Sequence, residues 1–223
     1  MKHSPSAVLI ALLSLITACT YPSVNKESDS VTAPMTLTQF DTIRLVSPDL
    51  TKSVSLMTAL KNRRSDRDFT KENLSLQQLS EVLWAANGLN RANDTLRTTA
   101  PSARALYPVQ IYAALKNGIY KYNNRKHLLE PVLEGNYMEA TGIQSFVTDA
   151  PLNLIYIADL AKHNNLQIAS IDAGHNSQNV YLYCAAEGLK VVVRGSVEIP
   201  ALLNLLRLDT ERFQFIMAQT VGK

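Results

Sequence analysis

Apolar residues recur at helical spacing in several stretches of the chain, and these stretches predict its helices. One helix is predicted over 51–61, where Val54, Met57 and Leu60 share a face. The longest is predicted over 163–187, and a glycine follows its last residue. Both stretches are amphipathic, so each should cover part of a larger core.

Two further helices carry recognisable start and stop signals. Ser75 is a candidate N-cap with Gln78 three residues later, which is the spacing of a capping box. Gly88 should end that helix. The stretch IPALLNLLRL predicts a helix near the C-terminus, with Pro200 in its first turn.

Between the helices lie runs that are typical of strands. VQIYAAL and IYKYNN flank an Asn-Gly turn and predict a β-hairpin. LNLIYIAD is apolar enough for the centre of a sheet, and KVVVRG and FQFIMAQTV complete the set. Strands and helices do not alternate strictly. The pattern therefore predicts an α+β fold with a central, mainly antiparallel sheet flanked by helices.

The first residues have the pattern of an export signal. Lys2 precedes an apolar run over 7–16, which is too short to span a membrane. The sequence ITAC then resembles a bacterial lipobox, so residues 1–19 are predicted to be a lipoprotein signal peptide with Cys19 as the lipidated residue. The alternative is an ordinary cleaved signal. Thr20 follows the cysteine, which favours an outer-membrane lipoprotein that faces the periplasm.

Composition sets the organisation of the remainder. Residues 20–45 are rich in Ser, Thr, Asn and Pro and are predicted to be a flexible tether. Residues 46–223 are predicted to form one domain, since 46% hydrophobic residues over 223 positions supply a sizeable core. The net charge of +3 is too small to indicate a nucleic-acid-binding protein. Cys184 is expected to be a small buried residue.

A search for catalytic motifs excludes several kinds of chemistry. The chain has no HExxH, CxxC, GxSxG or phosphate-binding GKS/T sequence. His163 and His175 are twelve residues apart, which is not the spacing of metal ligands. No metal site is therefore predicted, and His175 is expected to be a core residue of its helix.

The remaining candidate is a basic cluster that follows the first helix. Arg63, Arg64 and Arg67 stand with Ser65 inside five consecutive positions. Guanidinium groups and a hydroxyl in a small volume suit the oxygens of a phosphate. Neighbouring aspartates offer an alternative, a solvated turn held by salt bridges. The segment alone leaves both interpretations open.

The order of the motifs resembles a known family. LKNRRSDRDFTKENLSLQQLSEVLWAANG, RTTAPSARALYPVQIYAAL, GIYKY, DAGHNSQNVYLYCAAEGL, VVVRG and MAQTVGK follow one another as in the flavin-dependent nitroreductases. The Pro-Ser-Ala…Ala-Leu-Tyr-Pro form and the GIYKY hairpin are most similar to the subgroup that includes the peptide azoline dehydrogenases. The resemblance covers about residues 50–223 and implies a nitroreductase-like, FMN-binding domain.

The resemblance also implies which residues bind FMN. The flavin phosphate would lie on the basic cluster and on Lys223, and the Pro-Ser-Ala turn would lie against the flavin from the partner subunit. The backbone N–H groups of Arg194 and Gly195 would lie near flavin N5, and Gln178 would be close to the cofactor. The implied cofactor-binding set is Arg63, Arg64, Ser65, Arg67, Pro101, Ser102, Ala103, Gln178, Arg194, Gly195 and Lys223.

The function that follows from the resemblance is that of an FMN-dependent oxidoreductase. It would pass a hydride or electron pair through flavin N5 in a ping-pong cycle between a small-molecule donor and acceptor. Arg194, if its side chain points inward, would stabilise the reduced flavin. A homodimer is expected, since the small residues around Ala173 and Gly174 suit close packing. Arg104 stands where the subgroup commonly has glycine, and no Lys-Tyr pair matches the one associated with azoline oxidation.

Two alternatives accompany this expectation. One is a flavin-free binding or scaffold lipoprotein that retains the fold. The other is a module that stores or degrades flavin without nicotinamide. The colour of the purified protein separates the first alternative from the flavoproteins.

Overall fold

A computed structural model describes residues 1, 31–91, 93–94 and 96–223. The predicted signal peptide and Cys19 lie outside the described residues. The strands are β1 (Ile43–Arg44), β2 (Val109–Leu115), β3 (Gly118–Asn123), β4 (Leu128–Glu134), β5 (Leu152–Asp159), β6 (Lys190–Arg194) and β7 (Phe213–Gly222). They form one sheet in the order β1-β4-β3-β2-β5-β7-β6. All pairings among these strands are antiparallel, so the predicted fold class is confirmed.

Helices cover both faces of this sheet. The α-helices are α1 (Leu56–Asn62), α2 (Leu76–Asn87), α3 (Leu166–Glu187) and α4 (Ile199–Leu205), and short 3₁₀ turns lie at Ala103–Ala105, Met138–Thr141 and Ser145–Val147. Helices α2 and α3 pack on one face, and α4 packs on the other. The sheet therefore lies between two hydrophobic layers.

The central position of β5 explains its largely apolar sequence, in which only Asn153 and Asp159 are strongly polar. All eight of its residues are buried. Leu154 and Tyr156 point into the layer beneath α2 and α3, whereas Ile155 and Ile157 point into the layer beneath α4. A strand covered on both faces needs apolar side chains on both, so the alternation typical of a half-exposed strand is absent. The predicted central strand is confirmed.

The predicted helix signals are present in the structure. Ser75 Oγ accepts a hydrogen bond from the Gln78 N–H at 3.1 Å, and Gln78 Oε1 accepts one from the Ser75 N–H at 3.0 Å. These reciprocal bonds satisfy two donors at the start of α2. Gly188 ends α3 in the left-handed region at φ 68°, where glycine carries no Cβ penalty.

Two strands were not predicted from the sequence. Strand β1 has only two residues, and β4 contains Pro131. The pairing of β4 with β3 shifts register there: Tyr120 lies opposite Pro131, and Ile119 lies opposite Leu133. Proline has no N–H for the ladder, and a bulge is one of the places where a sheet tolerates it.

The chain joins the domain earlier than the predicted boundary at residue 46. The Met35 N–H donates to the Leu74 carbonyl at 2.9 Å, and the rings of Phe40 and Tyr120 lie 5.1 Å apart. Strand β1 also pairs with β4. The structure therefore places 34–45 on the domain, while residues 20–30 of the predicted tether lie outside the described residues.

Two helix faces differ from the prediction. Helix α1 begins at Leu56, and its apolar stripe is exposed, with Met57 at 74% exposure. His175 is exposed rather than part of the core, so that prediction is wrong. Helix α3 is buried through small residues instead, including Ala169 and Ala173, because α2 packs closely against it. Large apolar residues mark a core face only when another element covers them.

The capping box predicts a measurable contribution to stability. Ser75→Ala should lower the free energy of unfolding by about 1 kcal/mol, because the hydroxyl that caps the Gln78 N–H is lost. Chemical denaturation measures the change. Ser196→Ala is the control, since Ser196 is exposed in a loop and should shift the free energy by less than about 0.5 kcal/mol. Equal losses in both variants would contradict the capping role.

Candidate functional site

Arg63 and Arg64 of the basic cluster line a cavity of about 420 Å³ at the end of α1, whereas Ser65 and Arg67 are exposed beside it. We call it the Arg63 cavity. Its wall includes Lys61, Arg63, Arg64, Asp66, Tyr181 and Lys190. The segment is held in place by the Asp66 N–H, which donates to the Val191 carbonyl at 3.0 Å. The chain therefore turns against the start of β6, and α3 closes the other side.

Tyr181 organises the floor of the Arg63 cavity. The Arg63 guanidinium lies 5.3 Å from the centre of the Tyr181 ring, a cation–π contact worth about 0.5–1 kcal/mol. The Tyr181 hydroxyl accepts a hydrogen bond from the Val193 N–H at 2.8 Å. It also lies 2.9 Å from Ser65 Oγ. One tyrosine thus positions two members of the predicted phosphate site.

Positive charge exceeds negative charge around this cavity. Arg64 lies 3.6 Å from Asp66, but its side chain is 79% exposed. Such a pair contributes at most about 1 kcal/mol. Arg63 and Arg67 form no ion pair with any described residue. A turn held by salt bridges therefore accounts for Arg64 and leaves the other two arginines without an acidic partner in the part of the chain that the structure describes.

The last residue of the chain lies beside the same segment. The Lys223 carbonyl accepts a hydrogen bond from the Thr70 N–H at 2.7 Å. The Lys223 ammonium forms an ion pair with Glu72. The side chain is thus near the basic cluster but does not line the Arg63 cavity.

The Pro-Ser-Ala turn is built on a buried carboxylate. Asp172 of α3 is 4% exposed and accepts hydrogen bonds from Ser102 Oγ at 2.6 Å and from the Ala103 N–H at 3.2 Å. Ser102 Oγ in turn accepts from the Tyr107 N–H at 2.9 Å. This pair of contacts fixes the turn to the long helix.

The backbone that follows the turn is strained. Arg104, Ala105 and Tyr107 have φ values of 55°, 55° and 46°. Each left-handed non-glycine residue costs roughly 1–3 kcal/mol and persists only where the surroundings enforce it. Asp172 fixes Ser102 and Ala103 just before this stretch, and Ser102 Oγ holds the Tyr107 N–H at its other end. Glycine adopts the left-handed conformation of Arg104 without strain. This explains why the subgroup that the sequence resembles commonly has glycine at this position.

The two parts of the predicted site are separated within one subunit. Asp172 and Tyr181 lie on the same helix, about 14 Å apart along its axis at 1.5 Å per residue. Gln178 is exposed between them. The Pro-Ser-Ala turn therefore does not reach the Arg63 cavity of its own chain.

Arg194 is buried in the core, and its side chain does not point to an open cavity. It is 6% exposed and donates to Thr220 Oγ1 at 2.8 Å, to Asn153 Oδ1 at 2.7 Å and to the carbonyl and hydroxyl oxygens of Thr141. Burial lowers its pKa to about 10. A Cβ on Gly142 would lie 2.0 Å from Arg194 Nη1, so that position admits only glycine without a rearrangement.

This geometry changes the expected role of Arg194. Four of the five guanidinium N–H groups donate to neutral oxygens inside the core, so the side chain is not directed to a ligand at the end of β6. A Cβ on Gly195 would contact nothing within 4 Å, so the backbone there borders open space. Only the backbone part of the prediction for these two residues is compatible with the structure.

Comparison with known sequences identifies the domain. The profile of the nitroreductase family matches residues 60–223. The chain belongs to the nitroreductase family. The match includes every predicted FMN-binding residue, and it supports an oxidoreductase class for the protein.

Solved structures agree with this assignment. A candidate nitroreductase from Ralstonia eutropha JMP134 is 36% identical with a TM-score of 0.77, over 86% of this chain and 93% of that one. The Escherichia coli microcin synthetase McbBCD complex with truncated pro-MccB17 has a TM-score of 0.62 at 19% identity, over 94% and 84%. A candidate nitroreductase from Desulfovibrio desulfuricans in complex with FMN has 0.58 at 21%, over 76% and 86%.

The latter two likenesses concern the fold. Two residues of the site were not predicted from the sequence. Tyr181 and Asp172 have no motif of their own, and their roles depend on contacts with segments that are far away in the chain. The one available signal was their common helix, which also carries Gln178.

The Arg194 network predicts an unusual order of substitution costs. Arg194→Lys should lower the free energy of unfolding by about 3 kcal/mol, because a buried charge remains but its single ammonium cannot reach all the acceptors. Arg194→Met should cost less, about 1–2 kcal/mol, since the buried charge is removed and mainly the Thr141 carbonyl loses its donor. Urea denaturation compares the two.

The exposed Arg44 of β1 provides the control, because Arg44→Lys and Arg44→Met should both be nearly neutral. If Arg194→Met proved more damaging than Arg194→Lys, the positive charge itself would be what the core requires. The interpretation based on hydrogen-bond geometry would then fail.

Proposed function

We propose that the protein is an FMN-dependent oxidoreductase of the nitroreductase type, with the flavin phosphate bound at the Arg63 cavity. The observation that carries the proposal is Arg63, which lines this cavity and has no ion partner among the described residues. Arg67 does not line the cavity, but it belongs to the same segment and also has no ion partner within the described ranges. Bound FMN would supply transfer of a hydride or electron pair at N5, in a ping-pong cycle between a small-molecule donor and acceptor.

The residues of the cavity fit a phosphate. Guanidinium forks of Arg63 and Arg67 suit phosphate oxygens. Because the Tyr181 hydroxyl oxygen already accepts from the Val193 N–H, its own proton can be donated to Ser65 Oγ. The Ser65 hydroxyl then retains its proton for an anion.

Lys223 and the end of β6 complete the proposed site. Lys223 would exchange its ion pair with Glu72 for one with the phosphate. The backbone N–H groups of Arg194 and Gly195 would face the flavin, since the Arg194 side chain is directed into the core. The Pro101–Ala103 turn would reach the flavin of the partner subunit.

The phosphate contact is tested by comparing two flavins. Arg67→Met should weaken FMN binding by about tenfold to a hundredfold, because a charge-assisted hydrogen bond contributes about 1.5–3 kcal/mol. Riboflavin lacks the phosphate, so its affinity should be unchanged. Arg63→Met should behave similarly but also lose its contact with Tyr181. Quenching of flavin fluorescence measures both ligands.

Arg44→Met, which removes an exposed arginine on β1, is the matched control and should bind both flavins as the wild type does. Equal losses for FMN and riboflavin in Arg67→Met would show that the arginine acts through folding. A wild-type protein that binds neither flavin would instead favour the flavin-free scaffold lipoprotein.

A homodimer is part of the proposal. The apolar side of α1 is unusually exposed, with Leu56 at 63%, Met57 at 74% and Leu60 at 46%. These residues adjoin the basic cluster, and a second copy would cover them while bringing its Pro-Ser-Ala turn to the flavin. Ala173 is buried within the subunit, but a Cβ on Gly174 would meet nothing within 4 Å.

Light scattering tests the dimer. The flavin-loaded protein should have twice the subunit mass, and Met57→Lys should shift it toward the monomer because a charge would be buried in the interface. Val132→Lys, at an exposed apolar position on β4, is the control and should remain dimeric. A wild-type monomer at all concentrations would exclude the dimer.

We also propose that the protein is a lipoprotein of the outer membrane that faces the periplasm. The support is the ITAC sequence that ends in Cys19. Among the described residues, no helix combines the length and apolarity needed to cross a membrane. Attachment would therefore depend on acyl chains at the cysteine.

The anchor is tested by Cys19→Ser. The variant should lose lipid labelling and move from the membrane fraction to the soluble fraction, because no acyl chain can be attached. Cys184→Ser is the control and should remain in the membrane fraction, since Cys184 is buried in the domain. A Cys19→Ser protein that is processed normally and stays with the membrane would refute the lipobox.

A further inference from the structure

A second cavity, of about 250 Å³, lies at the ends of strands β2 and β3. It shares no lining residue with the Arg63 cavity. We call it the Lys121 cavity. Lys121 of β3 contributes to its wall, Asn87 at the end of α2 forms another part, and Tyr107, Arg125 and Lys162 complete the polar rim.

Positive charge dominates the Lys121 cavity. Lys121, Arg125 and Lys162 line it together with one carboxylate, Glu130. Glu130 accepts a hydrogen bond from the Asn123 side chain at 2.8 Å. None of the three cations forms an ion pair within the described ranges. Three unpaired cations around one concave surface are expected to attract an anion.

Lys121 is the member that solvent stabilises least. Its side chain is half-buried, and its Nζ lies 5.9 Å from the centre of the Tyr112 ring. Burial, and next the charge of Lys162, lower the pKa of Lys121, and the nearby carboxylates of Glu130 and Asp159 offset this only in part. Lys162 donates a hydrogen bond to the Tyr107 carbonyl at 3.2 Å. An anion in the cavity would relieve the repulsion between the two lysines.

Asn87 adds an unpartnered hydrogen-bond acceptor to the wall of the cavity. It is 7% exposed, and its Oδ1 is a buried acceptor without a donor in the described part of the chain. Its backbone carbonyl is occupied by the Asn124 side chain at 3.0 Å. Buried polar atoms are nearly always satisfied by protein, water or ligand. A ligand for this cavity would therefore offer a hydrogen-bond donor as well as negative charge.

The position of the cavity connects it to the strained turn. A much smaller cavity, lined by Pro101, Ser102 and Asp172, shares the lining residues Asn87, Tyr107 and Val109 with it. A molecule in the Lys121 cavity would therefore lie next to the Pro-Ser-Ala turn.

We infer that the Lys121 cavity is a binding site for a small hydroxylated organic anion. Its carboxylate or phosphate oxygens bind Lys121 and Lys162, and its hydroxyl donates to Asn87 Oδ1. The site is separate from the proposed phosphate site at Arg63, and the inference does not depend on flavin binding.

Isothermal titration of the full chain tests the inference with glycerate and glycerol 3-phosphate as probes. At least one should bind saturably, and the stronger binder shows whether a carboxylate or a phosphate is preferred. Propionate and inorganic phosphate, which lack the alcohol groups, should bind about tenfold more weakly than their hydroxylated counterparts. Glycerol, which has no charge, should not bind.

Substitutions then locate the binding. Lys121→Met should weaken it by about tenfold or more, and Lys162→Met at the exposed rim provides a second variant with little risk to folding. Lys126→Met, an exposed lysine outside the cavity, should leave affinity unchanged. The inference is overturned if neither hydroxylated anion binds, or if binding survives both cavity variants and is lost in Arg67→Met.

Discussion

Burial of strand β5 on both faces is the constraint on which the rest of the structure depends. Its eight residues lie in the centre of the sheet, so neither face can be left to solvent. Helices α2 and α3 cover one face and α4 covers the other. Each buried side chain of Val, Leu or Ile size contributes about 1.5–3 kcal/mol, which makes this double layer the main source of stability. The position of every element around the candidate site follows from that arrangement.

Helix α3 is fixed by this packing, and it sets the distance between the functional groups that it carries. Apart from Val180 and Tyr181, its buried side consists of small and polar residues. Asn176 Nδ2 donates to the Ala86 carbonyl of α2 at 2.7 Å. Close contact with α2 fixes the rotation of the helix. That rotation directs Asp172 to the Pro-Ser-Ala turn and Tyr181 to the basic cluster. The distance between the two parts of the site is therefore set by the helix itself, and one subunit cannot bring them together.

Features that depend on local sequence could be predicted, and features that depend on distant contacts could not. The capping box of α2, the hairpin of β2 and β3 and the left-handed Gly188 each follow from a few neighbouring residues. The exposure of the apolar stripe of α1 and of His175 could not be predicted, because periodicity does not reveal which apolar face is covered. The basic cluster was recognisable from its composition, but Tyr181 and Asp172 acquire their roles only through tertiary contacts.

The buried and half-buried cations differ in how far the protein itself satisfies their charge. Arg194 is enclosed by the dipoles of Thr141, Asn153 and Thr220, and four of its five N–H groups donate to these residues, so the fold itself holds this charge. The Arg63 guanidinium lies over the Tyr181 ring, and the Lys121 ammonium lies near the Tyr112 ring. Neither cation forms an ion pair with a described residue. A charge satisfied by the protein contributes to structure, whereas a charge left unsatisfied beside a cavity is costly unless something else binds there. This difference, rather than the number of basic residues, separates the structural arginine from the cations that define the two candidate anion sites.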